Sequence, residues 1–167
     1  MTSDFIGLIA NLALTLSFIV GLIFGIAQVR AAARDRRERL TLEALRSFQS
    51  RDFAELLQFV NAEKAPASRK EIMALPARDQ ILFLELAQSM EMLGILVADR
   101  YVDIDLVDKT LGDFVVTSWE KFKKVTFDVR TTDPYVNEYW QWLATQVNDR
   151  MTTSPRRPFF EQGARVR

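Results

Sequence analysis

Phe5-Ile-Gly-Leu-Ile-Ala-Asn-Leu-Ala-Leu-Thr-Leu-Ser-Phe-Ile-Val-Gly-Leu-Ile-Phe-Gly-Ile-Ala27 is a run of 23 residues without one charge, and the chain turns basic directly behind it. At about 1.5 Å of rise per helical residue, roughly 20 apolar residues cover the hydrocarbon core of a bilayer, about 30 Å thick. The stretch therefore predicts a membrane-spanning helix. A cleaved signal peptide would show a basic start, an apolar stretch of about 7–15 residues and a small-residue cleavage site. Here Met1-Thr-Ser-Asp4 carries no Lys or Arg, the apolar run is too long, and Ala31-Ala-Ala33 lies behind Arg30. The expectation is an uncleaved anchor.

Charge asymmetry gives the anchor a direction. Seven arginines (Arg30, Arg34, Arg36, Arg37, Arg39, Arg46 and Arg51) stand against three acids between positions 30 and 51, whereas only Asp4 precedes the span. Basic residues beside a span stay cytoplasmic. This predicts a single-pass protein with its N-terminus outside and residues 28–167 in the cytoplasm. Arg30, Arg34, Arg36, Arg37 and Arg39 are also the candidate contacts to anionic lipid headgroups, each worth about 1 kcal/mol near the surface.

The rest of the composition closes most chemical routes. The chain has no cysteine and no histidine, so there is no thiol nucleophile, no imidazole base and no Cys/His zinc site. Its six glycines (Gly7, Gly21, Gly25, Gly94, Gly112, Gly163) never form a phosphate-cradling loop. Neither the Walker pattern nor the dinucleotide fingerprint is present, and no cofactor is expected. Charge falls into zones behind the basic collar. Asp52 to Asp149 holds 17 acids and 10 bases, while Arg150 to Arg167 holds five arginines and one glutamate. A nucleic-acid partner would need a basic face on the folded domain, and an acidic body does not offer one.

The body reads as helical throughout. Ala27 to Phe48 lacks Pro and Gly and is rich in strong helix formers, so the anchor should continue as helix into the cytoplasm. Ser50 is placed to cap a helix bearing Phe53, Leu56, Leu57 and Val60, and Ser68 to cap a short helix ending before Pro76. A helix from about Pro76 to Arg100 is apolar over most of its circumference, which marks a central one. Glu85, Glu91 and Asp99 within it argue against a second span. Asp103 should cap a helix from Ile104 to about Phe122. The pair Asp133-Pro134 should open the last helix, running to about Arg150. Met151 to Arg167 reads as a tail, with Phe159-Phe160 as its oddity.

Several constellations carry candidate roles. At about 100° per residue, Gly7, Asn11, Gly21 and Gly25 share one face of the span, and Ser17, Gly21 and Gly25 form a ladder of small residues. Small residues let two helices approach closely, and an asparagine amide in lipid seeks a partner. Gly7, Asn11, Ser17, Gly21 and Gly25 are thus the candidate association face, toward another membrane protein or a second copy. Glu91 lies on a largely apolar side of its helix and calls for a cation such as Arg130, Lys121 or Arg100, or for a place at the edge of the core. The cluster Asp99, Asp103, Asp105, Asp108 and Asp113 lacks the glycine and terminal glutamate of a calcium loop and reads as turn capping. Trp140 and Trp142 stand two positions apart on a helix, so both cannot face inward; one of them is a candidate interface residue.

Ile81-Leu-Phe-Leu-Glu-Leu-Ala-Gln, Met90-Glu-Met-Leu-Gly, Val102-Asp-Ile-Asp-Leu-Val, Trp119-Glu-Lys-Phe, Arg130 and Tyr139-Trp-Gln-Trp-Leu-Ala together resemble a bacterial family, the domain of unknown function 4760, over about residues 40–145. The resemblance implies a small all-helical protein with an N-terminal span ahead of a cytosolic domain, in the bacterial inner membrane. It implies no activity. The combined expectation is an all-α chain: an anchor (1–28), a basic juxtamembrane helix (29–49), an acidic bundle of about four or five helices (50–150) and a basic tail (151–167). Its expected role is binding, as an accessory or scaffold subunit of a membrane assembly. A tethered ligand-sensing regulator and a carboxylate-only enzyme are the alternatives.

Overall fold

Between Thr2 and Ser47 there are three glycines and no proline, and the whole stretch winds into one unbroken helix, α1 (Thr2–Ser47). The structure is a computed structural model that describes residues 2–62 and 65–162. Among these, the side chains of residues 2–13, 37, 38, 40, 44, 45, 47, 159 and 162 lie outside the description. The chain forms two compact units, Met1–Leu40 and Thr41–Arg167. In the first, the large apolar side chains from Leu14 to Val29 are exposed, Phe18 by 72%. A Cβ placed on Gly21 or Gly25 would meet nothing within 4 Å among the described residues outside its own stretch of helix.

The second unit holds α2 (Arg51–Asn61), α3 (Arg69–Met73), α4 (Ala77–Ala98), α5 (Ile104–Val129), α6 (Glu138–Thr153) and a short 3-10 turn at Phe159–Gln162. No strand occurs among the described residues, and the protein is all-helical. Several helix starts follow the local chemistry of the sequence. Ser50 Oγ accepts from the Phe53 amide at 3.1 Å, Ser68 Oγ from Glu71 at 3.3 Å, and Asp103 Oδ1 from Asp105 at 2.8 Å. Each satisfies one amide that the first turn leaves without a partner.

Three boundaries differ from expectation, the simplest being the end of the last helix, which runs past Arg150 to Thr153. Helix α5 runs seven residues beyond Phe122, because Val125 and Thr126 continue its buried side. The last helix begins at Glu138 rather than Pro134. Asp133 does accept from the Tyr135 amide at 3.1 Å, but the chain only turns there, Tyr135 is exposed, and Asn137 adopts the left-handed conformation (φ 55°) before the helix starts.

Two helices, α1 and α4, are long and apolar enough to cross a bilayer. Helix α4 nonetheless supplies Phe83, Leu86, Ala87, Met90, Leu93, Gly94 and Val97 to the core. It is less enclosed than its composition suggested, since Ile81, Leu84 and Met92 on its outer side stay exposed. Helix α5 packs between α2 and α6. Phe59 of α2 stacks on Phe122 at 5.3 Å, Phe53 meets Phe114 edge-on at 4.9 Å, and Trp119 meets Trp140 of α6 at 5.6 Å. Aromatic pairs in such geometries add about 0.5–1.5 kcal/mol to simple burial.

Charged side chains complete helix ends across these packings. Lys121 of α5 donates to the carbonyls of Val60 (2.5 Å) and Ala62 at the end of α2, where burial holds its pKa below the ordinary lysine value. Asp128, near the end of α5, accepts from the Arg69 amide at 2.8 Å and so caps α3. The Thr41 hydroxyl donates to the Tyr101 carbonyl at 3.1 Å, tying the last turns of α1 to the α4–α5 turn.

That turn ends α4 in a Schellman pattern. The Arg100 amide bonds Val97 O at 3.0 Å and the Tyr101 amide bonds Leu96 O at 2.8 Å. Arg100 occupies the left-handed position (φ 61°) that glycine usually fills. Arg100→Gly should therefore stabilise the domain by about 0.5–1 kcal/mol in urea unfolding. Helices α4 and α6 approach closely at Gly94, where a Cβ would come within 2.6 Å of the Tyr139 carbonyl carbon. Backbone cannot yield as a flexible side chain can, so Gly94→Ala should cost about 2–3 kcal/mol in the same assay. An unchanged midpoint for Gly94→Ala would contradict the packing described.

Candidate functional site

The outer side of α4 does not face open water along its whole length. Together with α3, the C-terminal half of α5 and the α5–α6 turn it walls a groove of about 720 Å³. Ile72 and Met73 come from α3; Phe83, Leu84, Ala87, Met92 and Ile95 from α4; Val125 and Val129 from α5; and Val136 from the turn. Volume and apolar lining fall in the range typical of small-ligand sites. Helical spacing explains the α4 contribution, because Leu84, Gln88, Met92 and Ile95 recur at intervals of three and four.

Most polar groups on the groove wall are engaged within the protein. Gln80 Nε2 donates to the carbonyls of Leu75 (2.8 Å) and Met73 (3.2 Å), holding the end of α3 against α4. Asn137 Nδ2 donates to the Thr126 hydroxyl at 3.2 Å, and Thr126 is itself buried. Glu91 Oε2 accepts from the Trp140 amide at 2.9 Å. Trp140 stands in the first turn of α6, and the Asn137 side chain makes no cap bond there. A carboxylate from α4 thus does the capping that the residue before α6 does not, and its charge opposes the positive end of the helix dipole.

This revises the reading of Glu91. Its partner is a backbone amide, and no cation pairs with it among the described residues. Lys121 is spent on the end of α2. Arg130, which ends α5, donates to the Val136 carbonyl at 2.8 Å and to the Gln141 side chain, with its guanidinium 6.0 Å from the Trp119 ring and 5.6 Å from that of Phe127. It braces the α5–α6 turn.

The tryptophan pair divides as its spacing requires. Trp140 is wholly buried, its indole N–H without a partner among the described residues, and Trp142 is 38% exposed. Of the two, only Trp142 is available at the surface. It does not line the groove. The acid cluster serves local ends: Asp103 caps α5, Asp105 pairs with Arg150, and Asp108 packs beside Gly112. With Lys109, Gln146, Asp149 and Arg156, Asp105, Asp108 and Arg150 also line a second, polar cleft of about 600 Å³. No set of three or more acids is arranged to hold a metal among the described residues.

Ser17, Gly21 and Gly25 lie on the exposed part of α1, and so do Arg30, Arg34, Arg36 and Arg39. The side chains of Asn11 and Arg37, and the surroundings of Gly7, lie outside the described residues. The candidates are therefore spread over two units, and of them Glu91 alone is among the groove-lining residues. Sequence reasoning missed the groove's own residues, Arg69, Met73, Gln88 and Met92. Two of these, Arg69 and Met73, sit on the five-residue α3, where periodicity assigns no partner. The signal that existed was the α4 wheel, whose apolar residues exceed what one core can cover.

Chemically, the groove presents an apolar surface and a single carboxylate that is already engaged. That is equipment for binding. The architecture defines an all-helical protein with a long N-terminal apolar helix. The chain matches the family described as Domain of unknown function (DUF4760) over residues 15–147, and it belongs to that family. The matched span runs from within α1 into α6 and contains every groove residue. No curated protein and no solved structure matches the chain.

The Glu91 cap gives a test. Glu91→Ala should lower stability by about 1–2 kcal/mol, and Glu91→Gln, which keeps an acceptor, by less than half of that. Hydrogen exchange at the Trp140 amide should rise in the alanine variant. Equal losses for the two variants would argue that α4 packing, not the cap, is what Glu91 provides.

Proposed function

We propose that this protein is a membrane-anchored binding protein, held by one span in α1 and serving as an accessory or scaffold subunit of a membrane-associated assembly. The observation that carries the proposal is the apolar run from Leu14 to Val29, whose large side chains are exposed and which continues directly into the arginine collar. Water would not leave such a surface bare, and a bilayer covers it without further partners. The collar then directs residues 28–167 to the cytoplasm of a bacterial cell. Ser17, Gly21 and Gly25 offer the close-approach face for a partner helix, and Trp142 with the acidic surface offers contacts outside the lipid.

The groove favours a second reading, in which the domain senses a ligand and the span reports it. A preformed apolar concavity with few polar groups is the usual form of a ligand site. An enzyme using carboxylates alone would need two acids converging on one reacting atom, and the groove holds one.

Crosslinking in native membranes followed by mass spectrometry tests the accessory role. Crosslinks from α1 to a different membrane protein are expected, and self-crosslinks alone would remove that role. In a membrane association reporter, Gly21→Leu with Gly25→Leu should cut association about tenfold while carbonate extraction still finds the chain in the membrane. Association unaffected by the pair would rule out this face.

A further inference from the structure

With Gln80, Thr126, Asn137 and Glu91 all committed to bonds within the protein, the groove offers an incoming molecule few polar handles. Among the described lining residues, the polar side chains that make no bond of their own are those of Gln88 and Arg69. Arg69 spends its backbone amide on Asp128, which fixes where α3 begins, and its side chain extends exposed at the groove wall. The same groove is lined by the exposed apolar side chains of Met73, Leu84 and Met92. Two of these are methionines, whose unbranched thioethers adapt to irregular apolar shapes.

We propose that the groove is a binding site for a single-chain amphiphile with an anionic head, its head at Arg69 and its hydrocarbon chain along Met73, Leu84, Ala87, Met92 and Ile95. An extended peptide strand would bring a row of backbone amides and carbonyls, for which this wall offers few partners beyond Gln88 and Arg69. A hydrocarbon chain brings none. The carboxylate or phosphate head matches the one unengaged charge, and the about 720 Å³ of space suits a ligand rather than a folded domain. The anionic charge of Glu91 is already opposed by the N-terminal end of α6, so it does not cancel Arg69. This inference rests on the ligand-sensing reading and names its ligand class.

The test uses the full chain in nanodiscs, doped in one arm with a diazirine-bearing fatty acid and in a second with a diazirine-bearing phosphatidylglycerol. The two arms separate a free amphiphile from a resident bilayer lipid. A third arm carries a diazirine alkane with no head. After photolysis, mass spectrometry maps the adducts. Adducts on the peptides containing Met73 and Leu84 to Met92 are expected in the fatty-acid arm, several-fold above the headless arm, and adducts in the two-chain phosphatidylglycerol arm alone would overturn the single-chain class. Arg69→Gln should reduce them about fivefold, as for a partly exposed charge contact. Leu84→Gln with Met92→Gln, both at exposed positions that the fold tolerates, should abolish them.

Adducts confined to α1 in every arm would overturn the proposal, as would groove adducts indifferent to both variants. A protein crosslinked to the groove, in place of the probes, would show that a partner's helix occupies it and would also overturn it. The sensing reading has its own readout. If blocking the groove with Gln88→Trp, at an exposed lining position, alters α1 crosslinks in native membranes while no amphiphile labels it, the ligand class is wrong and the sensing reading stands.

Discussion

The start of α6 rests on Gly94. Only a residue without a side chain lets the Tyr139 backbone approach α4 so closely, and one turn earlier on α4 Glu91 then reaches the Trp140 amide. Close approach and cap are two consequences of the same contact. It seats Trp140 in the core against Trp119, and it leads Val136 and Asn137 along the rim of the groove. Without that approach the carboxylate would have no partner, and a half-buried charge left alone is among the costlier defects a small domain can carry.

Much of this architecture was legible. The unbroken α1 follows from a stretch free of proline, Ser50, Ser68 and Asp103 cap the helices they precede, and the two-residue spacing of Trp140 and Trp142 separates them into core and surface. The errors cluster between Phe122 and Glu138. There Asp133-Pro134 has the chemistry of a helix start, but Asn137 in a left-handed conformation and the bracing by Arg130 decide the path. Those are tertiary facts. A left-handed asparagine is written in no local pattern, and the guanidinium's partners lie six and eleven residues away.

The groove was less legible than the fold for a similar reason. A helix apolar nearly all round looks like a central one, and α4 is central on one side only. Which of its faces stays open depends on α3, a helix of five residues whose placement is set by Gln80 and Asp128 from other helices. Glu91 was recognised as needing a partner. Backbone amides at a distant helix start do not appear in a search for cations, and that is why its partner was missed.

Helix ends finished by side chains from neighbouring helices recur through the domain: Lys121 for α2, Asp128 for α3, Glu91 for α6. None of these three helices has all its end groups satisfied within its own sequence. Short helices are marginal in water even when complete, so α3 in isolation has little reason to persist. Order in each element is therefore conditional on order in the others. The unit from Thr41 onward gains and loses its structure as a single cooperative whole, and the groove exists only while that whole is intact.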